Sequence, residues 1–277
     1  IFIFLIYLKK FLKKENNESF EGKLFPSRFL IDKNKTKTLI WFHAASIGEA
    51  QSIIPLVEKI LNKINDTEIL ITTITQSSAT LMRKNFENNE NVKHRYLPLD
   101  INFLINKFLD GWKPSLVLFV DSEIWPNFLS EIKKRHIPLM LLNGRITERS
   151  FLRWSKIRKF AEEIFSNFDL CLISNIETKK YLEKFKVKNI KYLGNLKFST
   201  NYKPHNSQER LPSEKKMWCA MSTHKGEDIL IIDTHLNLKK DNKNLISAII
   251  PRHINRVEEI ESLCKKRNIS YQILSND

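Results

Sequence analysis

The sequence predicts an α/β protein built on a parallel sheet, with one complete domain followed by the start of a second. Short apolar runs alternate with longer helix-like segments along most of the chain. One run, Leu116-Val-Leu-Phe-Val120, is apolar throughout, as expected of a strand covered on both faces. The alternation stops over residues 199–216, rich in Ser, Asn, Pro, Lys and Glu, and then resumes. Strand–helix–strand alternation implies right-handed crossovers and therefore a parallel sheet.

The expected strands of the first domain are Thr38–His43, Glu68–Thr73, His94–Leu99, Leu116–Asp121, Ile137–Leu142, Leu170–Ser174 and Asn189–Leu193. Between them the helical spacing predicts Ile47–Ile64, Ser77–Asn85, Ile101–Asp110, Ile124–Arg135, Phe151–Phe165 and Ile176–Phe185. After the linker come a strand at Met217–Met221, a helix at Glu227–Leu238, a strand at Leu245–Ile250, a helix at Ile254–Arg267 and a strand at Tyr271–Leu274. The boundaries expected from this pattern are 1–14, 15–198, 199–216 and 217–277.

The first of these segments is read as the end of a membrane anchor. Ile1–Leu8 is wholly apolar and runs into Lys9, Lys10, Lys13 and Lys14. Eight residues are fewer than the roughly 20 that a helix needs to cross a hydrocarbon core. Charges that follow the apolar run, rather than precede it, match the last turns of a membrane helix with cytoplasmic lysines. The 277-residue chain is accordingly expected to be a piece of a longer protein, with its second domain incomplete and without activity as it stands.

Composition narrows the function. An apolar fraction of 42% and a charged fraction of 28% exclude a disordered chain. Three widely spaced cysteines, with no CxxC pair, argue against a disulfide framework or a cysteine zinc site and suit a reducing compartment. The seven histidines lack ligand spacing, so no metal is expected. The net charge of +15 invites a nucleic-acid reading, but 34 of the 46 basic residues are Lys, and Ile and Asn are abundant too, a bias that A/T-rich codons alone produce. Strands apolar on both faces also lack the aromatic and basic groove of a single-strand binder.

In parallel α/β sheets ligands bind beyond the carboxyl ends of the strands. After the first strand, His43-Ala-Ala-Ser-Ile-Gly-Glu49 offers Ser46 and Glu49 at capping-box spacing and Gly48 for close approach to a ligand; the carboxylate is also placed to take a proton from an acceptor hydroxyl. After the fourth, Asp121-Ser-Glu123-Ile-Trp125-Pro-Asn127 clusters two carboxylates, a Trp and an Asn. After the fifth come Asn143-Gly-Arg145 and a basic stretch to Lys159, interleaved with Phe151 and Trp154, which suits an anionic surface or phosphate. Lys197 follows the seventh strand. In the second domain Ser222 and Thr223 precede a helix, a phosphate-binding position, and Arg252 and Arg256 follow the next strand. G-x-G-x-x-G and Walker A patterns are missing, which leaves dinucleotide and P-loop readings unsupported.

Taken in order, His43–Glu49, Ser122–Asn127, Asn143–Ser150, Gly194–Phe198, Ala220–Glu227 and Pro251-Arg-His253 resemble the 3-deoxy-D-manno-octulosonic acid (Kdo) transferase family of lipopolysaccharide synthesis. The resemblance implies a GT-B fold, with two Rossmann-like domains facing a cleft. The first would bind lipid IVA, the lipid A precursor, and the second CMP-Kdo. It also implies inverting transfer without metal or cofactor, at the cytoplasmic face of the bacterial inner membrane. Glu49 would be the proton acceptor, and Glu123 and Lys197 the transition-state stabilisers. Pro251, Arg252, His253, Ser222, Thr223, Ser46, Gly48, Asn143 and Arg145 would contact substrates. Gly144, where the family has a small side chain such as Ala, is a minor departure. The competing expectations are another GT-B glycosyltransferase with a different nucleotide-sugar donor, or a basic membrane-associated protein without enzymatic activity.

Overall fold

The computed structural model describes residues 7, 10–12, 16–29, 37–199 and 216–274. The expected anchor over residues 1–14 and the linker over 199–216 fall largely outside them. The chain divides into two compact units, Ile1–Tyr202 and Lys203–Asp277. Among the described residues no helix is long and apolar enough to cross a membrane.

The first unit contains helix α1 (Asn17–Leu24), which precedes seven strands: β1 (Thr38–His43), β2 (Thr67–Thr73), β3 (Val92–Tyr96), β4 (Leu116–Val120), β5 (Leu139–Gly144), β6 (Leu170–Ile173) and β7 (Ile190–Tyr192). They form one parallel sheet in the order β3-β2-β1-β4-β5-β6-β7. The order reverses between β1 and β4, and at such a switch point the loops leave opposite faces and open a crevice.

The connecting helices are α2 (Ile47–Lys63), α3 (Gln76–Phe86), α4 (Asn102–Trp112), α5 (Pro126–Lys134), α6 (Glu148–Ser155), α7 (Arg158–Phe165) and α8 (Ile176–Lys184). Successive strand residues point to opposite faces, and the core divides accordingly. Leu39 and Trp41 of β1, with Val117 and Phe119 of β4, meet α4, α5, α7 and α8 through Phe108, Phe128, Phe165 and Leu182. Ile40 and Phe42, with Leu118 and Val120, meet α2 and α3 through Ile53, Val57 and Met82. Coverage on both faces explains why these strands read as continuous apolar runs.

The single helix expected over Phe151–Phe165 is two helices, α6 and α7, broken at Lys156–Ile157. The aromatic packing requires the break. Phe151 and Phe165 both lie against Phe185, with ring centroids 5.3 and 5.2 Å away. In a straight helix fourteen residues would separate them by about 21 Å. Tight turns from Lys156 N to Arg153 O and from Ile157 N to Trp154 O fold the chain back.

The second unit pairs β8 (Met217–Thr223) with β9 (Ile246–Pro251) in parallel, with helices α9 (Glu227–Asp241) and α10 (Val257–Lys266). The strand expected at Tyr271–Leu274 is irregular instead. Tyr271, Ile273 and Leu274 are exposed there, and no described strand pairs with them.

Candidate active site

The crevice at the switch point gathers residues from four strand ends. Glu49 stands in the first turn of α2. Ser46 caps that helix by accepting from Glu49 N at 3.3 Å. In return the Glu49 carboxylate accepts from the Ser46 hydroxyl at 2.9 Å and from Ala45 N at 2.8 Å. This is a capping box reaching one residue further back than usual. The same bonds fix the side chain in a buried position at the mouth of the crevice. Burial pushes the carboxyl above its ordinary value; the Ser46 bond opposes the rise, and the charges of Glu123 and Asp121 add to it.

Glu123 comes from the turn after β4. Its Oε2 accepts from Trp125 Nε1 at 2.8 Å and lies 3.5 Å from His43 Nε2. Burial works against its ionisation, but the contacts of His43 and Trp125 outweigh it and hold the carboxyl below its ordinary value. Two carboxylates that sense each other are thus driven in opposite directions by their surroundings. Asp121, two residues before Glu123, stands in the left-handed region at φ 61°, sparsely populated for a residue with a side chain and found where structure around it enforces the strain. Burial raises its carboxyl, opposed by the positive charges of Lys197 and Arg145 and assisted by Glu123.

Lys197 reaches this cluster from the other side. A Cβ added to Gly48 would lie 3.6 Å from Lys197 Nζ, in ordinary contact, so the ammonium stands against the start of α2. Asn143 holds the lysine's turn in place: it forms a bulge at the end of β5 at φ 56° and accepts from Leu196 N at 2.9 Å. The Arg145 side chain is exposed, and the backbone N–H of Arg145 donates to Asp121 O at 3.3 Å. At the neighbouring Gly144 a Cβ would meet Leu141 Cδ2 at 2.7 Å, so an alanine there requires Leu141 to move. The first unit therefore brings together Ser46, Gly48, Glu49, Glu123, Asn143, Arg145 and Lys197.

The remaining expected residues lie in the second unit. Ser222 is exposed and left-handed at φ 59°. Thr223 is buried, and its hydroxyl donates to Asp228 Oδ1 at 3.0 Å, so it is spent on the fold. Arg252 and His253 are exposed after β9, next to the half-buried Pro251, and Arg252 N donates to Thr223 O at 3.1 Å. Arg256, which also follows this strand, is buried: it donates to Thr223 O at 2.8 Å and pairs with Asp228. Its job is to staple the ends of β8 and β9.

Sequence reasoning missed the partners of Glu123. His43 is fully buried, and its Nδ1 stands 2.9 Å from Thr72 Oγ1. The signal was available: a histidine ends β1 and two threonines end β2, each directly after an apolar run, at the carboxyl end of the sheet. Among the described residues no group of three or more His, Cys, Asp or Glu is arranged to hold a metal.

The fold places the chain among the Rossmann-like α/β proteins of GT-B type. A solved UDP-GlcNAc 2-epimerase from Neisseria meningitidis, bound to UDP-GlcNAc, matches it with a TM-score of 0.60 at 16% identity, over 87% of this chain and 72% of that one. At that identity the likeness concerns the fold alone. The particular family follows from the sequence: the model of 3-deoxy-D-manno-octulosonic-acid transferase (kdotransferase) matches residues 23–200, and the chain belongs to that family. The 3-deoxy-D-manno-octulosonic acid transferase of Rickettsia felis is 31% identical over 249 residues, 88% of this chain and 53% of that protein. The Haemophilus influenzae protein of the same name is 30% identical over 240 residues, 84% of this chain and 56% of its own length. The chain thus spans about half the length of these curated relatives.

Proposed function

We propose that this protein serves the transfer of Kdo from CMP-Kdo to lipid IVA in lipopolysaccharide synthesis, with inversion at the anomeric carbon. The observation that carries the reading is Glu49: a buried carboxylate with a raised pKa, fixed by two hydrogen bonds at the mouth of the crevice. A base must reach the proton it removes and must bind it well enough to take it. In the proposed step the acceptor hydroxyl oxygen bonds to the anomeric carbon as its proton passes to Glu49. The bond from that carbon to the CMP phosphate breaks, and CMP leaves with the electron pair. Lys197 offsets the negative charge of the donor carboxylate and the departing phosphate. Glu123, held ionised, faces the positive charge that develops at the donor carbon.

Arg252 is the proposed donor phosphate contact in the second unit, with exposed Ser222 beside it and His253 and Pro251 completing that wall. The acceptor's membrane surface fits α6 and α7, where Arg149, Arg153 and Lys156 stand with exposed Leu152, Ile157 and Phe160. Basic and apolar groups on one surface suit an anionic bilayer.

The test is transfer by the full-length protein, given CMP-Kdo and lipid IVA, beside its Glu49→Ala variant. The reading expects transfer by the parent, loss in the variant, and CMP-Kdo binding nearly unchanged. Transfer that survives in Glu49→Ala removes Glu49 as the base, and a parent inactive on this pair removes the substrates.

A further inference from the structure

Four residues behind the crevice form a chain of polar groups inside an otherwise apolar wall. Strand register puts His43 of β1 beside Thr72 of β2 and Phe119 of β4. Trp41 Nε1 donates to Thr72 Oγ1 at 2.8 Å. The Thr72 hydroxyl then has one proton of its own, and its shortest acceptor is His43 Nδ1 at 2.9 Å, against 3.4 Å for Phe42 O. The imidazole is fully buried, with its ring edge-on to Phe119 at 5.2 Å. Among the described residues its Nε2 has no hydrogen-bond partner within ordinary reach, and it points at Glu123 Oε2, 3.5 Å away.

We propose that His43 is a positioning residue for Glu123: Trp41 and Thr72 fix the imidazole as the tautomer protonated at Nε2, and that N–H aims at Glu123 Oε2, orienting the carboxylate together with Trp125. This rests on the transferase reading for its consequence in catalysis, but not for the network itself. An imidazole with one nitrogen accepting carries its proton on the other. The opposite tautomer, donating from Nδ1 to Thr72 O at 3.2 Å, would set the Nε2 lone pair against a carboxylate, so the carboxylate and the threonine favour the same state. His43 touches no reacting atom, because it lies wholly inside the wall. Its influence passes through Glu123, which also senses Glu49 from α2 and Asp121 from the end of β4, with Lys197 and Arg145 facing Asp121.

The tautomer is read directly from the ring nitrogen shifts of the full chain labelled with nitrogen-15 histidine. We expect His43 protonated at Nε2, and a gain of the Nδ1–H form in Thr72→Val but not in Thr72→Ser. An Nδ1–H tautomer in the parent overturns the proposal. In the transfer assay His43→Leu lowers kcat by about tenfold to a hundredfold, the loss expected when a polar group aimed at a charged one goes. KM for both substrates stays within roughly twofold. The acid limb of its pH profile steepens, because Glu123 begins to titrate beside Glu49, and His43→Gln, which keeps a donor at the Nε2 position, recovers most of the rate. Equal losses in the Leu and Gln variants with an unchanged acid limb mean a merely structural histidine and overturn the proposal. A parent inactive on CMP-Kdo and lipid IVA sinks the transferase reading alone, and the ring nitrogen shifts then decide the network by themselves.

Discussion

Glu49 stabilises the helix that carries it and destabilises the pocket it occupies, and two substitutions separate the effects. Glu49→Ala removes the acceptor of Ala45 N and of the Ser46 hydroxyl. Losing a capping box and its bonds costs about 1–3 kcal/mol. Glu49→Gln keeps both contacts, because its oxygen accepts from Ala45 N while its NH2 donates to the Ser46 oxygen, and it deletes a buried charge that Glu123 and Asp121 repel. A domain of 150–250 residues shifts by about 2–4 °C per kcal/mol. The Gln variant should therefore melt roughly 2–12 °C above the Ala variant and no lower than the parent at pH 7. The sign of the pH dependence follows from the raised pKa. The folded state binds the Glu49 proton more tightly than the unfolded chain, so the parent loses stability as pH rises through that window, and the Gln variant does not. Its advantage over the parent should grow between the ordinary carboxylate range and neutral pH. Both variants should lose transfer by about a hundredfold to ten-thousandfold, the share of a positioned general base. Calorimetry across pH, paired with the transfer assay, reads all of this. A Gln variant as unstable as the Ala variant, or one that gains nothing with pH, would refute the view that burial strains this carboxylate.

The same logic extends to its neighbour and to the scaffold. Glu123→Gln removes one of the charges that raise Glu49, so the acid limb of the residual kcat/KM profile should move to lower pH without reaching the ordinary carboxylate range, because burial, the larger cause, remains. Trp41 is fully buried among Phe108, Phe119 and Phe128 at centroid distances of 5.0–5.7 Å; Trp41→Ala should cost about 3–5 kcal/mol in denaturant unfolding. Asp228→Ala strands the buried Arg256 guanidinium and should cost about 3–5 kcal/mol, read as earlier loss of α9 and β8 protection in hydrogen exchange.

The parallel sheet was legible because burial on both faces writes itself into sequence. Thr38–His43 and Leu116–Val120 needed no tertiary knowledge to be read as covered strands. The α6–α7 break was not legible, since it exists for the sake of Phe185, a residue some 20 positions beyond α7 that both Phe151 and Phe165 must reach. Nor was Tyr271–Leu274, whose alternation looks like a strand but which lacks a described partner to pair with. At the site, Glu49, Glu123 and Lys197 stood out as polar residues after strands. Arg256 stood out for the same reason and proved structural, because sequence does not reveal that Asp228 is waiting one helix away. His43 carried no role in the motif reading, since only the register of β1 against β2 puts Thr72 beside it.

The opposite displacements of Glu49 and Glu123 decide which carboxylate suits which task. A base for an acceptor hydroxyl must hold a proton well at working pH, and a group facing developing positive charge must never pick one up. Burial raises the proton affinity of Glu49; the bonds from the Ser46 hydroxyl and Ala45 N oppose the rise, and the like charges of Glu123 and Asp121 add to it. Glu123 accepts from an indole and faces an imidazole, and its affinity falls despite burial. Exchanging the roles would require Glu123 to take a proton its neighbours disfavour, while Glu49, tied into its own helix start, would have to stay charged where burial opposes charge. The proposed division of labour therefore depends less on the two glutamates than on what lies behind each: a capping serine in front of α2, and a histidine buried in the wall of β1.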